Sequence, residues 1–460
     1  MTVRAIRKER AWLHRPVRLL TNSRWILRLL ICAAVVVLAS CRAFEAPRQR
    51  VLIVGIDGAS PRVLDTMFSM GKLENLKALA DAGTYGPLRS ETPYLLSPRV
   101  WTTVATGMIP DKHLIDGWVK VAKDGTAGLF YSSDRRGHAL WNIVSDSGKR
   151  VAVVNWLVTY PPEKVNGIIV SDHTLPGEVE GKKYIGEIFA KGRGAEFRGV
   201  ESAGSGTSPI YPEEWKKAVL DSRHEKAVLT KVASPFREGA AIGFDPFLHN
   251  LRDFWNTDQR LASITLEILE RERPDVTMVL LQGIDRMSHF LFGCLDDPAK
   301  YPPTFQPTPE QRINCQSALY DYYEFSDQLI GRLLEYFDDD DLIMVLSDHG
   351  FESGFSEFRT GDHSTEAAQD GICVVRGPRV IKHGPVAPMT VADVTPTVLA
   401  WMGLAQALDM DGKPAPFLEP GPAIQSVPTY DTKPIERLGD GKSGAEPQVI
   451  EQLRSLGYIE

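Results

Sequence analysis

Six side chains of the types that hold transition-metal cations recur along the chain, five of them in motifs just beyond apolar runs. Asp57 follows Val51–Gly55 in VGIDGAS. Asp285 and His289 follow Val276–Leu281 in LLQGIDRMSH. Asp348 and His349 follow Leu342–Leu346 in MVLSDHGF, and His363 lies in the loop TGDHSTEAAQDG. Singly, an Asp after a strand is more often a turn or capping residue. The imidazoles beside these acids change the reading. Asp285 and His289 are spaced i, i+4, so a helix starting there turns both to one side. Six ligands over two divalent metal ions give three each and leave positions open for nucleophile and substrate. Mixed imidazole and carboxylate donors suit Zn²⁺, with Mn²⁺ or Fe as alternatives, and suit Ca²⁺ less well.

Ser97, in LLSPRVWTTVATG, is the candidate nucleophile. Pro98 stands at an expected first helical position and Gly107 closes the run, the usual asymmetry of a helix. Ser97 is then expected at the N-cap, where free N–H groups and the helix dipole favour an anion. Most serines at such positions only cap the helix. Coordination to a cation, which stabilises the alkoxide at neutral pH, would make this one a nucleophile.

These residues need elements that bring them together. Short β-type runs occur at Val51–Val54, Val151–Val154, Gly167–Val170, Val276–Leu281, Leu342–Leu346 and Ile372–Val375. Helical patterns lie between them, at Lys72–Ala82, Ala139–Ser147, Asp258–Arg273, Cys315–Phe337 and Val391–Met402. Near-continuous apolar strands alternating with helices predict an α/β fold, a mostly parallel central sheet covered on both faces. In such a sheet, ligands bind beyond the carboxyl ends of the strands, so the three acidic motifs are expected at one site. Residues from about 174 to 262 break the rhythm and are read as an insertion or cap. A Pro-rich stretch follows about residue 415, with a short helix near Glu446–Leu456.

The chain has 460 residues, 43% hydrophobic and 24% charged, which excludes a disordered or multi-span membrane chain. Its net charge of −7 makes it a poor binder of nucleic-acid polymers. That charge is unevenly spread. Residues 1–40 hold eight basic side chains and one acid, and without them the chain carries −14. The apolar run Leu29–Ser40 follows the basic stretch and ends in small residues before Cys41, the layout of a secretory signal. Leu38-Ala39-Ser40-Cys41 resembles a lipobox. The expectation is a lipoprotein signal peptide over 1–40 and a membrane anchor through lipid on Cys41. Arg42 rather than Asp at the next position favours the outer membrane, facing periplasm or cell surface. Cys294, Cys315 and Cys373 then face an oxidising setting. A Cys294–Cys315 disulfide would close the Pro-rich loop between them, and buried free thiols are the equal alternative.

The ordered set GIDG, SPxVWTTVATG, D-x-x-x-H, SDHGF and G-x-H resembles the alkaline phosphatase superfamily, and within it the type I phosphodiesterase/nucleotide pyrophosphatase family. Asp393-Val-Thr-Pro-Thr-Val-Leu-Ala, Met410-Asp-Gly and Leu453-Arg-Ser-Leu-Gly-Tyr extend the match. The resemblance implies an alkaline-phosphatase-like three-layer sandwich with an inserted cap, its catalytic domain at 51–420 between a linker at 41–50 and a tail at 421–460. It implies one zinc on Asp285, His289 and His363, and another on Asp57, Asp348 and His349, with Ser97 bound to the second. The implied reaction cleaves a small phosphate ester in two in-line steps through a phosphoserine. Two departures bear on specificity. Ser97 stands where eukaryotic-type members carry Thr. The Asn that contacts the phosphoryl oxygen is replaced near Trp118, with Arg99 or Lys120 as possible substitutes. A phosphoryl or phosphoethanolamine transferase using the same site, and a sulfatase, are the alternative readings. Pro98 and Arg99 sit too close to Ser97 for a sulfatase motif, and three histidines favour zinc. The remaining histidines are read as structural or exposed, His113 and His173 least securely.

Overall fold

The computed structural model describes residues 49–90, 95–121, 127–174, 207–221, 244–303, 305–355, 359–383, 389–421 and 425–439. The expected signal peptide, Cys41 and the helix near Glu446–Leu456 lie outside the described residues. No helix among the described residues is long and apolar enough to cross a membrane.

Eight strands form the central sheet: β1 (Val51–Ile56), β2 (Thr84–Arg89), β3 (Val151–Val154), β4 (Gly167–Val170), β5 (Ile210–Tyr211), β6 (Val276–Leu281), β7 (Leu342–Leu346) and β8 (Asp370–Arg376). Their spatial order is β2-β8-β7-β1-β6-β3-β4-β5. The central five, β7 to β4, are parallel. β8 runs antiparallel to both β7 and β2, and β5 antiparallel to β4. The sequence reading found six of these strands and missed the short edge strand β5 and the half-exposed β2. Neither has the continuous apolar run that marks a strand buried on both faces.

Alternation along β1 shows why the central runs are wholly apolar. Val51 and Ile53 face one core, shared with Trp101 and Val104 of α3 (Ser97–Thr106), Leu140 of α4 (Leu140–Asp146) and Val398 of α8 (Val394–Trp401). Leu52, Val54 and Ile56 face the other. That second core is built on α1 (Pro61–Ser69), α2 (Glu74–Ala82), α5 (Phe244–Glu272), α6 (Gly283–Leu291) and α7 (Pro309–Leu334). Each fully buried Val, Leu or Ile stabilises the fold by about 1.5–3 kcal/mol.

Within the stretch read as an insertion, both described parts join this framework. β5 extends the sheet edge, and α5 begins at Phe244, with Leu251 and Phe254 buried in the second core. Polar residues are frequent between Phe244 and Asp258 and hide the helical period in the sequence. Cys294 and Cys315 form a disulfide joining the turn after α6 to α7, which by loop length stabilises the fold by about 3 kcal/mol. Cys373 is a buried free thiol in β8, and burial pushes its pKa up.

Strand register sets the height of the site. Ile56 pairs with Leu281, and Gly55 with Leu346. Asp57, Gln282 and Ser347 therefore leave the sheet side by side at its carboxyl edge.

Candidate metal centre

The three acidic motifs and His363 meet at this edge, all of them buried. Asp57 is the first residue beyond β1. Gly58 takes a positive φ of 71°, and a side chain there would meet the Asp285 backbone at 2.9 Å. Its N–H donates to Asp348 Oδ1 (3.2 Å). Beyond β7, Ser347 Oγ accepts from the Ala59 N–H (2.8 Å) and donates to the His349 carbonyl (2.9 Å), fixing the turn that carries Asp348 and His349. Ser90 Oγ donates to the Asp348 carbonyl from the far side.

Helix α6 presents Asp285 and His289 on one face, as their spacing predicts. Asp285 Oδ1 lies 3.5 Å from His289 Nε2, 3.8 Å from His363 Nε2 and 3.9 Å from His349 Nε2. The loop bearing His363 is held against α6 by the Thr360 N–H, which donates to the His289 carbonyl (2.8 Å). His349 Nε2 is 3.4 Å from Asp57 Oδ1 and 3.5 Å from Asp348 Oδ2. Two groups result, Asp285–His289–His363 and Asp57–Asp285–His349, with donor atoms in each within 4.8 Å of one another. Asp285 thus faces both groups, whereas the family resemblance assigns it to one.

Ser97 is the first helical residue of α3, and Leu96 occupies the N-cap, one position earlier than expected. The Leu96 carbonyl already accepts from Val100, so the helix starts before Pro98. The Ser97 side chain does not cap the helix. Its hydroxyl donates to Asp57 Oδ1 at 3.3 Å.

The electrostatics fit a cation. Burial pushes the Asp348 carboxyl well up, and Asp57 adds to this, with His349 opposing. For His349, burial works downward, but Asp348, Asp57 and Asp285 outweigh it and raise the imidazole to about 10. His289 falls to about 4 through burial, against the pull of Asp285. His363 also lies well below its ordinary value through burial, reinforced by His349 and His289. Asp348 Oδ2 and His349 Nε2 are buried with no hydrogen-bond partner among the described residues. His349 Nδ1 faces the Gly350 carbonyl at 3.0 Å, and His289 Nδ1 faces that of Gly361 at 3.3 Å. Only a protonated nitrogen bonds to a carbonyl, so in the neutral rings both Nε2 lone pairs point into the cluster, as metal-ligating histidines do. The donor set suits Zn²⁺, Mn²⁺ or Fe.

Two residues not singled out from the sequence complete the surroundings. Phe351 packs against His289, His349 and His363, with ring centroids 5.0–5.7 Å apart. Gln282 Nε2 donates to Asp57 Oδ2 (3.3 Å). Phe351 follows His349 in the SDHGF motif, a signal that could have found it. Gln282 had none, since an amide three residues before an acid has no characteristic spacing.

Other sequence candidates are engaged elsewhere. Arg99 pairs with Asp116 at 2.6 Å and Lys120 with Asp134 at 2.6 Å. His113 is buried, bonded to Thr103 Oγ1 (3.0 Å) and accepting from the Ile115 N–H (3.1 Å), so it ties α3 to the following loop. His138 pairs with Asp431, and His173 stacks on Tyr160 at 4.5 Å. Tyr322 and Tyr323 are core residues.

Several solved structures match this chain at low identity. Phosphonoacetate hydrolase from Sinorhizobium meliloti 1021 matches with 18% identity and a TM-score of 0.37, covering 67% of this chain and 58% of that one. Phosphonate monoester hydrolase from Silicibacter pomeroyi has 15% identity and a TM-score of 0.43, covering 79% and 75%. Human ectonucleotide pyrophosphatase/phosphodiesterase 5 has 10% identity and a TM-score of 0.47, covering 79% of this chain and 97% of that one. No curated protein matches the sequence. The family model for type I phosphodiesterase/nucleotide pyrophosphatase matches residues 51–392, which span every motif of the cluster. This chain therefore belongs to the type I phosphodiesterase/nucleotide pyrophosphatase family, a class of phosphoester hydrolases.

Proposed function

We propose that this chain is an exported phosphodiesterase that cleaves small phosphate esters through a phosphoserine on Ser97, with two divalent cations, Zn²⁺ foremost, held by the cluster. The observation that carries this reading is the Ser97 hydroxyl bonded to Asp57 Oδ1 inside two adjoining Asp/His groups. Asp285, His289 and His363 would hold one cation. Asp57, Asp348 and His349 would hold the other beside Ser97. When bound, the cations would withdraw charge from the attacking and leaving oxygens.

Asp57 orients Ser97 Oγ toward the open side of the cluster. Oγ attacks phosphorus as the bond from phosphorus to the ester oxygen breaks and the alcohol departs. Water then attacks the phosphoserine from the opposite side, the Oγ–P bond breaks, and Ser97 is restored. Phe351 keeps bulk water from one side of the histidines, which strengthens every charge interaction there. Arg99 and Lys120 already hold carboxylates, so the family's phosphoryl-contacting Asn has no evident substitute in this pair.

The decisive experiment follows hydrolysis of bis-p-nitrophenyl phosphate with Zn²⁺. Wild type is expected to outpace Ser97→Ala by at least about 10³-fold, a difference of roughly 4 kcal/mol in barrier. Equal rates would sink the mechanism.

Export as a lipoprotein belongs to the same proposal. The basic and apolar layout of residues 1–40 supports it, and the Cys294–Cys315 disulfide accords with an oxidising compartment. Intact-mass analysis should find Cys41 as the lipidated first residue, and Cys41→Ala should release the protein from membranes. An unmodified Cys41 on a full-length chain would refute this part.

A further inference from the structure

Gln282 lies at the junction of β6 and α6, buried, between two of the proposed ligands. Its side-chain amide can point only one way. Asp57 Oδ2 is a carboxylate oxygen and needs a donor, so the NH₂ end faces it at 3.3 Å. Arg286 Nη2 can only donate, so the Oε1 end faces it at 3.2 Å. The backbone on either side is equally constrained. Asp258, on α5, accepts from the Gln282 N–H through Oδ1 (3.3 Å) and from the Gly283 N–H through Oδ2 (3.0 Å). Tyr322 Oη donates to the same Oδ2 at 3.0 Å. A side chain at position 283 would lie 1.7 Å from Tyr322 Oη, so only glycine admits this clamp.

Asp57 consequently has one oxygen committed. Oδ2 is held by Gln282, and Oδ1 alone faces Ser97 Oγ (3.3 Å) and His349 Nε2 (3.4 Å). The same residue begins the helix that carries Asp285 and His289. A single amide therefore ties the β1 ligand to the α6 ligands.

We propose that Gln282 is a positioning residue: it fixes Asp57 as a one-oxygen ligand and sets the affinity of the Asp57–His349 side of the cluster, with Arg286 holding the amide in place. This rests on the two-cation reading above. Hydrogen bonds behind metal ligands of this kind are worth about 10–100-fold in affinity or activity.

The test titrates Zn²⁺ alone into the metal-stripped full chain by calorimetry. Wild type should bind two ions, and His363→Ala and His349→Ala assign the two events. Gln282→Met, which keeps length and loses both polar ends, should weaken the His349-side event about 10–100-fold and leave the His363-side event unchanged. The melting midpoint of its metal-free form should match wild type. Arg286→Met should weaken the same event by a smaller factor. Unchanged Zn²⁺ affinities in Gln282→Met would overturn the inference. So would equal weakening of both events with a lower metal-free midpoint, because Gln282 would then only support folding. Wild type that binds two ions and hydrolyses the diester while Gln282→Met is unaltered defeats this inference alone. Wild type that binds no Zn²⁺ defeats the functional reading and this inference with it.

Discussion

Two regions of this molecule bury carboxylates almost completely, and they neutralise them differently. Glu163, in the loop between β3 and β4, has Arg135 Nη2 at 2.7 Å, Trp141 Nε1 at 2.7 Å and Asn142 Nδ2 at 3.0 Å. Arg437, from the segment after residue 425, approaches to 3.5 Å. Burial alone would raise the Glu163 pKa, but Arg135 and the donors outweigh it and hold the carboxyl below its usual range. At the metal centre Asp57, Asp285 and Asp348 face one another and imidazoles, and the Asp348 carboxyl is driven up instead. The first carboxylate is completed by the chain's own donors. The second set is short of positive charge, and a divalent cation is what its donor atoms suit. Equal burial therefore marks a structural site in one place and a candidate binding site in the other.

The sharpest way to break this contrast is to remove the proposed cations. Chelation should lower diester hydrolysis by about 10³-fold or more, and Zn²⁺ should restore it, as several kcal/mol of charge stabilisation come and go. Activity that survives exhaustive chelation would mean the acids are neutralised internally after all. Next in size is Arg135→Met, which strands Glu163. Urea unfolding of the metal-free protein should show a loss of about 3–5 kcal/mol, with Zn²⁺ stoichiometry unchanged.

Asp348→Asn should act in the opposite sense. It keeps an oxygen for the Gly58 N–H and removes a buried charge. The metal-free form should therefore gain about 1–3 kcal/mol while Zn²⁺ binding weakens. A metal-free loss of stability would show that the pairing of Asp348 with His349 outweighs the cost of burying its carboxyl.

The smallest effect concerns His113, a buried imidazole whose partners are neutral. Burial lowers it to about 3, assisted by Arg135 and Arg99, so the folded state stays neutral where the unfolded chain takes up a proton. Its contribution is present above the unfolded value of 6.5 and is lost as pH falls toward 3. His113→Asn should flatten the stability profile by about 1 kcal/mol between pH 6 and 5, measured by urea midpoints. An unaltered slope would place that proton uptake elsewhere.

Much of this was legible in the residues. The apolar runs at Val51, Val276 and Leu342 announced the central strands because a strand covered on both faces has no polar side. The acids beyond them announced the site because parallel strands end at one edge. The helix starting at Phe244 was obscured by the many polar residues in its first turns, so the part before Asp258 was read as insertion. Leu96 rather than Ser97 caps α3, a shift that depends on which carbonyl accepts first.

The sequence by itself determined the strand-and-motif order, the ligand types, the nucleophile candidate and the family, since each is a matter of local pattern and spacing. Only the tertiary structure decided which oxygen of Asp57 is committed, that Asp285 faces both groups, and that Gln282, Asp258 and Tyr322 stand behind them. Those contacts join residues far apart in the chain, 225 positions for Asp57 and Gln282, and strand register rather than any local pattern sets them.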